Sequence, residues 1–142
     1  MKLDFDTVAD VADYVTVPAG TYVCKIAEVQ TGATRAGDER WSFKLIVAEG
    51  EFTGRHAAWD NLVFSQRGMS RVRAVLGALG LPNRGSVEVE PSDLEGREAF
   101  VEVRPSEYEH PDSGTTVRRN EVPYAGYRRI EDDSGKTDTI PF

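Results

Sequence analysis

Residues 40–48, RWSFKLIVA, alternate without a break: Trp41, Phe43, Leu45 and Val47 fall on one face, with Arg40, Ser42 and Lys44 on the other. A period of two over this length predicts a half-buried β-strand across Arg40–Ala48. Downstream, in residues 66–82, QRGMSRVRAVLGALGLP, the period changes. Met69, Val72, Val75, Leu76 and Leu79 recur at steps of three and four and line one face of a helix, leaving Arg67, Arg71 and Arg73 off the stripe. Gly80 can take the left-handed closing position, Leu81 can then meet Leu76, and Pro82 prevents resumption, so the helix ends there.

Outward from these two anchors, Gly and Pro punctuate the chain into further segments. Pro18-Ala19-Gly20 opens a strand over Thr21–Val29, and Thr31–Glu39 is a polar loop. Glu49–Gly54 turns the chain into a third strand, Arg55–Phe64. After a loop holding Val87 and Val89, Gly96–Arg104 alternates through Ala99, Val101 and Val103, and Thr115–Val122 makes the last strand beyond a turn at Tyr108–Gly114. Three strands, a helix and two strands within residues 18–130 is the order of an OB-fold, a five-stranded Greek-key barrel with its helix between strands three and four, whose sheet face and loops commonly bind oligonucleotides.

The chain has 142 residues and a formal charge of −7, which argues at first against a polyanionic partner. The distribution reverses that inference. Residues 1–16 carry Asp4, Asp6, Asp10 and Asp13 against Lys2, and residues 131–142 carry Glu131, Asp132, Asp133 and Asp138 against Lys136. Residues 17–130 are left with 16 acids and 15 bases, 13 of them Arg, a side chain suited to bidentate phosphate contacts and to stacking. The division is an acidic arm at 1–16, one domain at 17–130 and a polar, flexible tail at 131–142. In the arm, Val8, Val11, Ala12 and Val15 stand at helical spacing, which fits either a short docking helix or a subunit contact.

Catalysis has little to stand on. Cys24 is the one cysteine, so no disulfide forms within the chain, and a lone mid-strand cysteine reads as a small core hydrophobe. His56 and His110 lack zinc-ligand spacing, phosphate-cradling glycine loops are absent, and the pairs Glu88/Glu90 and Glu107/Glu109 fit solvated alternation better than Mg²⁺ binding. The expectation is a protein that is not an enzyme and needs no cofactor or metal. No stretch has the charge and apolar pattern of a secretory signal or the length of a membrane span, so a soluble, cytoplasmic protein is expected.

Single-strand binders combine cations that track the backbone with rings on which bases stack. Arg35 in the first loop, Arg40, Trp41 and Lys44 on the second strand, Arg55 and Trp59 on the third, and Arg118 and Arg119 on the last supply both. Trp41 shares its face with Phe43, Leu45 and Val47 and so belongs with the core. Trp59 shares parity with Arg55 and Asn61 if no bulge intervenes, and is either a stacking platform or a core ring. Of Arg118 and Arg119, adjacent on a strand, one can join a given groove.

Asp138-Thr139-Ile140-Pro141-Phe142, at the end of the acidic tail, resembles the Asp-Ile-Pro-Phe tip of bacterial single-stranded-DNA-binding proteins (SSB), which recruits replication and repair partners. In the body, Pro18-Ala19-Gly20-Thr21-Tyr22, Gly54-Arg55, Trp59-Asp60-Asn61-Leu62, Leu79-Gly80-Leu81, Leu94-Glu95-Gly96-Arg97 and Asn120-Glu121-Val122 look like a family of small phage-encoded single-stranded-DNA-binding proteins, over residues 18–124. The two resemblances imply a protein that coats exposed strands in phage replication or recombination, inside the host cytoplasm. Its tip residues Asp138, Ile140, Pro141 and Phe142 would engage replication or recombination proteins that read SSB tails. Homo-oligomerisation stays open, since such binders gain affinity by linking several folds. An adaptor that competes for those partners without binding DNA is the alternative.

Overall fold

The computed structural model describes residues 11–109 and 114–130. The acidic arm up to residue 10, His110 in its turn, and the tail with Asp138, Ile140, Pro141 and Phe142 lie outside the described residues. The chain is predominantly β: β1 (Val11–Asp13), β2 (Gly20–Ala33), β3 (Glu39–Val47), β4 (His56–Phe64), helix α1 (Met69–Ala78), the single turn α2 (Pro91–Leu94), β5 (Glu98–Glu109), β6 (Thr116–Glu121) and β7 (Tyr127–Arg128). Five of the seven strands are those expected. β2 runs past Val29 to Ala33, because residues 31–33 keep pairing with residues 39–41 and leave only 34–38 for the hairpin loop.

The helical spacing at 8–15 does not produce a helix over Val11–Asp13, which pairs in parallel with β6. Three residues there give the β6 edge its hydrogen-bonding partner, which outweighs a weak and short helical pattern. β7 adds two residues to β5 beside Phe100 and Val101.

The strands form one open sheet in the order β1-β6-β5-β2-β3-β4, with β7 on β5. β5 is long enough to serve two neighbours, pairing with β2 through its first half and β6 through its second. Although β4 stands four places from β6 in this order, the amide of Asn120 on β6 donates to the carbonyl of Ala57 on β4 at 3.3 Å and to that of Val17 at 3.0 Å. The sheet therefore coils until its far strands meet, and the seam between them is closed by side-chain bonds and by residues 14–17. Tyr14 N–H donates to Arg118 O, and Thr16 Oγ1 donates to His56 O.

The alternating faces enclose the core. Trp41, Phe43, Leu45 and Val47 from β3 meet Ala99, Val101 and Val103 from β5, all buried, together with Cys24 and Ile26 from β2. Val72, Val75, Leu76 and Ala78 of α1 pack onto the same cluster. Met69, placed on that stripe by its spacing, is exposed, since it occupies the first helical residue, beyond the reach of the sheet. Gly68, just before α1, has no room for a side chain: a Cβ would stand 2.3 Å from Val63 O. At the far end Leu81 N–H bonds to Leu76 O and Gly80 N–H to Gly77 O, with Gly80 at φ +80°, the closing motif expected from Leu79-Gly80-Leu81. Among the described residues no helix is long and apolar enough to cross a membrane.

Candidate nucleic-acid interface

In antiparallel pairs, residues directly opposite share a face. β3 aligns Lys44 with Trp59 on β4 and Glu28 on β2, Ser42 with Asn61 and Gln30, and Arg40 with Val63 and Gly32. The outer face of this ribbon thus sets Lys44 beside Trp59, which is 39% exposed, and bonds Ser42 Oγ to Asn61 Oδ1. Arg40 stands on the same face about 13 Å further along β3, at ~3.3 Å per residue. Exposed Arg35 lies just beyond it in the 34–38 hairpin loop.

Trp41 points the other way. It is 4% exposed, its Nε1–H donates to Glu39 Oε2 at 2.6 Å, and its ring lies 4.6 Å from that of Phe64. A ring so enclosed has no face to offer a base, so Trp41 leaves the candidate interface, as its company on β3 implied.

For Trp59 the register resolves the alternative. Leu45 aligns with Ala58 and Ile46 with His56, so Ala57 is an extra residue in β4. This bulge breaks the parity between Arg55 and Trp59 while keeping that between Trp59 and Asn61. Arg55 holds its guanidinium over the Phe52 ring at 5.3 Å and reaches Thr16 O at 3.3 Å.

Where β4 meets β6 a cavity of about 390 Å³ opens. Trp59 and His56 wall it from β4, Arg119 and Asn120 from β6, and Tyr14 and Tyr108 flank them. The Arg119 guanidinium sits 5.0 Å from the Tyr108 ring centre. Arg119 lines this cavity and half-buried Arg118 does not, so Arg119 is the member of that pair which joins the groove. Among the described residues five large apolar or aromatic side chains are exposed, and three of them, Tyr14, Trp59 and Tyr108, line this one cavity. Sequence reading missed Tyr14, Tyr108 and Asn120. Tyr14 stands in the acidic arm, and Tyr108, expected in the turn, lies instead on β5, which runs past Arg104 to Glu109 because residues 104–109 pair with β6; neither carries a periodic signal, and only the coiling of the sheet brings these positions together.

Burial, and then the charge of nearby Lys44, lower the His56 pKa from its ordinary value. Its ring is therefore neutral in the folded protein at neutral pH, whereas in the unfolded chain it titrates near its ordinary ~6.5. Below that pH the unfolded state binds the extra proton, so stability falls as the pH drops from about 6.5. Urea unfolding at about pH 7 and about pH 5 should show a smaller loss in His56→Phe than in the parent chain; equal losses would place the titration elsewhere.

Beneath Trp59, Asp60 faces inward. Its Oδ2 accepts from Arg71 Nη2 at 2.7 Å and from the Tyr127 hydroxyl at 2.6 Å, while Arg71 Nη1 donates to Asn61 O at 2.8 Å. Burial, with the neighbouring Asp60 carboxylate, pushes the Tyr127 phenol well above its usual range. Arg71, off the apolar stripe of α1, therefore clamps α1, β4 and β7 together. Trp59-Asp60-Asn61-Leu62 reads as ring outward, carboxylate to the clamp, amide to Ser42, and leucine to the core.

Cys24 is buried, and burial alone pushes its thiol up to about 12, the opposite of an activated nucleophile. No cluster of three or more His, Cys, Asp or Glu side chains stands ready to hold a metal ion among the described residues. A larger, mainly apolar cavity of about 700 Å³ between α1 and the 83–89 loop carries Arg73 and Arg84, but among the described residues Phe64 is the only ring on its wall.

A family model described as "Protein of unknown function (DUF669)" matches residues 3–126, which takes in every described element except β7. No curated protein matches the chain.

Proposed function

The chain belongs to the DUF669 family, whose description assigns no activity, and from the surface of this chain we propose that it binds single-stranded DNA without catalysis. The observation that carries the proposal is the gathering of Tyr14, Trp59 and Tyr108 around one cavity flanked by Arg119 and, across the β3–β4 ladder from Trp59, Lys44. Rings half open to solvent beside cations are what an unpaired strand needs, because its bases offer faces for stacking and its phosphates remain outside. Duplex bases have those faces covered.

The strand order supports the same reading. We read β4-β3-β2-β5-β6, with α1 between β4 and β5 and with β4 brought back to β6, as the five-stranded OB barrel expected, with β1 and β7 as additions to it. The resemblances over residues 18–124 and 138–142 add the setting: a phage protein that coats exposed strands in the host cytoplasm during replication or recombination, with an acidic tail recruiting partner enzymes.

The test is the salt dependence of oligo-dT binding. Each phosphate contact released reduces the slope of log K against log salt by roughly 0.7 for single strands. Replacing Arg40, Lys44 and Arg119 together by Ala should lower the slope by about 2. An unchanged slope would mean that the backbone does not run along this face.

A further inference from the structure

We propose that the cavity between α1 and the 83–89 loop holds the end of this chain's own tail, with Ile140, Pro141 and Phe142 against its apolar wall and Asp138 beside its cations. The docking uses none of the residues assigned to single-strand binding and stands or falls apart from it. Phe64, Met69, Val72, Leu76, Val87 and Val89 line about 700 Å³, a volume within the range of ligand clefts. Met69 is 46% exposed, and an unbranched thioether left open on such a wall adapts to the side chains that enter.

Charge and reach select the occupant. Among the described residues of the wall the charged side chains are Arg73 and Arg84, both exposed, and neither forms an ion pair with another described residue. The first turn of α1 carries no acidic residue, so the positive end of the helix dipole adds to the same field. A segment suited to this cavity is acidic and ends in apolar side chains. Residues 131–142 have that composition, with Glu131, Asp132, Asp133 and Asp138 against Lys136 and then Ile140, Pro141 and Phe142. β7 delivers the chain beside α1: the Arg71 guanidinium lies 5.8 Å from the Tyr127 ring centre, and both side chains bond to Asp60 Oδ2. The ten residues from Ile130 to Ile140 span up to about 33 Å, while a helix with its side chains is only about 10–12 Å across. The tip can therefore pass around α1, and its tether supplies an effective concentration of about millimolar, which a separate acidic peptide lacks. A partner that reads the tip must first displace it from this cavity.

The experiment follows methyl NMR signals of the intact chain and of a chain ending at Thr137, each without DNA. Removal of residues 138–142 should displace the methyl signals of Val72, Leu76, Val87 and Val89, while those of Val101 and Val103, buried within the barrel, stay in place and report an intact fold. Phe142→Ala should reproduce most of that displacement, because the ring that shields these methyls is gone. In the double variant Arg73→Glu and Arg84→Glu the full-length chain should already show the signals of the shortened one, and further truncation should then change nothing. Cavity methyls unmoved by the truncation, or changes confined to residues around Trp59 and Tyr14, would overturn the docking. A displacement that fades on dilution would give the cavity to the tail of a second copy and overturn docking within one chain. A docked spectrum retained in the double variant would overturn the charge pairing that selects the tail.

Discussion

Asp60→Ala should cost about 3–5 kcal/mol of folding free energy, the range seen when one partner of a buried ion pair is removed. Asp60 and Arg71 retain only 12% and 15% of their side-chain exposure, so little solvent screens what is left behind. The substitution strands the Arg71 guanidinium without its counter-charge and the Tyr127 hydroxyl without its acceptor, and both groups are partly or wholly enclosed. In a chain of this size each kcal/mol lowers the melting temperature by about 2–4 °C, so a fall of roughly 10 °C is expected in a thermal melt followed by circular dichroism. Asp60→Asn should fall between, since one acceptor survives while the charge does not. A change of under 1 kcal/mol in Asp60→Ala would mean that Arg71 finds water on losing its partner and that the clamp between α1, β4 and β7 is dispensable.

Trp59→Ala should act on binding with almost no effect on folding. A base stacked on an aromatic side chain is worth roughly 1–3 kcal/mol, so oligo-dT affinity should drop by about 5- to 150-fold. The ring is outward and 39% exposed, and it contributes nothing to the cluster formed by Phe43, Leu45 and Val101, so the melting temperature should move by no more than a few degrees. The contrast with Asp60, its neighbour on the same strand, is the useful feature of the pair. One residue faces solvent and should change affinity, whereas the other faces the clamp and should change stability. A steep loss of stability in Trp59→Ala with affinity intact would show that the ring supports the fold.

What could be read from the sequence followed from local period. The β3 alternation placed Trp41 in the core, and the Gly80-Leu81-Pro82 signal placed the end of α1, because both effects act within one element. α2 is a single turn, too short for periodicity. Its only trace is the pairing of Glu90 with Asp93 around Pro91, which closes a capping box, while the anchoring Leu94 is fully buried. The direction of Trp59 could not be counted from Arg55, since the bulge at Ala57 depends on two small residues that both turn into the core. The Asp60–Tyr127 bond joins positions 67 residues apart, and the cavity takes Tyr14 and Tyr108 from opposite ends of the domain. Such groupings come from the coiling of the sheet, which no window of sequence contains.

Affinity for a fluorescent single-stranded oligo-dT beside a duplex of equal length, measured at two salt concentrations, tests single-strand recognition most directly. Cations alone bind both forms and lose both with salt, whereas stacking on Trp59, Tyr14 and Tyr108 serves only the unpaired strand. The single strand should therefore bind more tightly at both concentrations, and its advantage over duplex should persist when added salt has weakened both. Equal affinity for the two forms at either concentration, or binding of neither, would contradict the account.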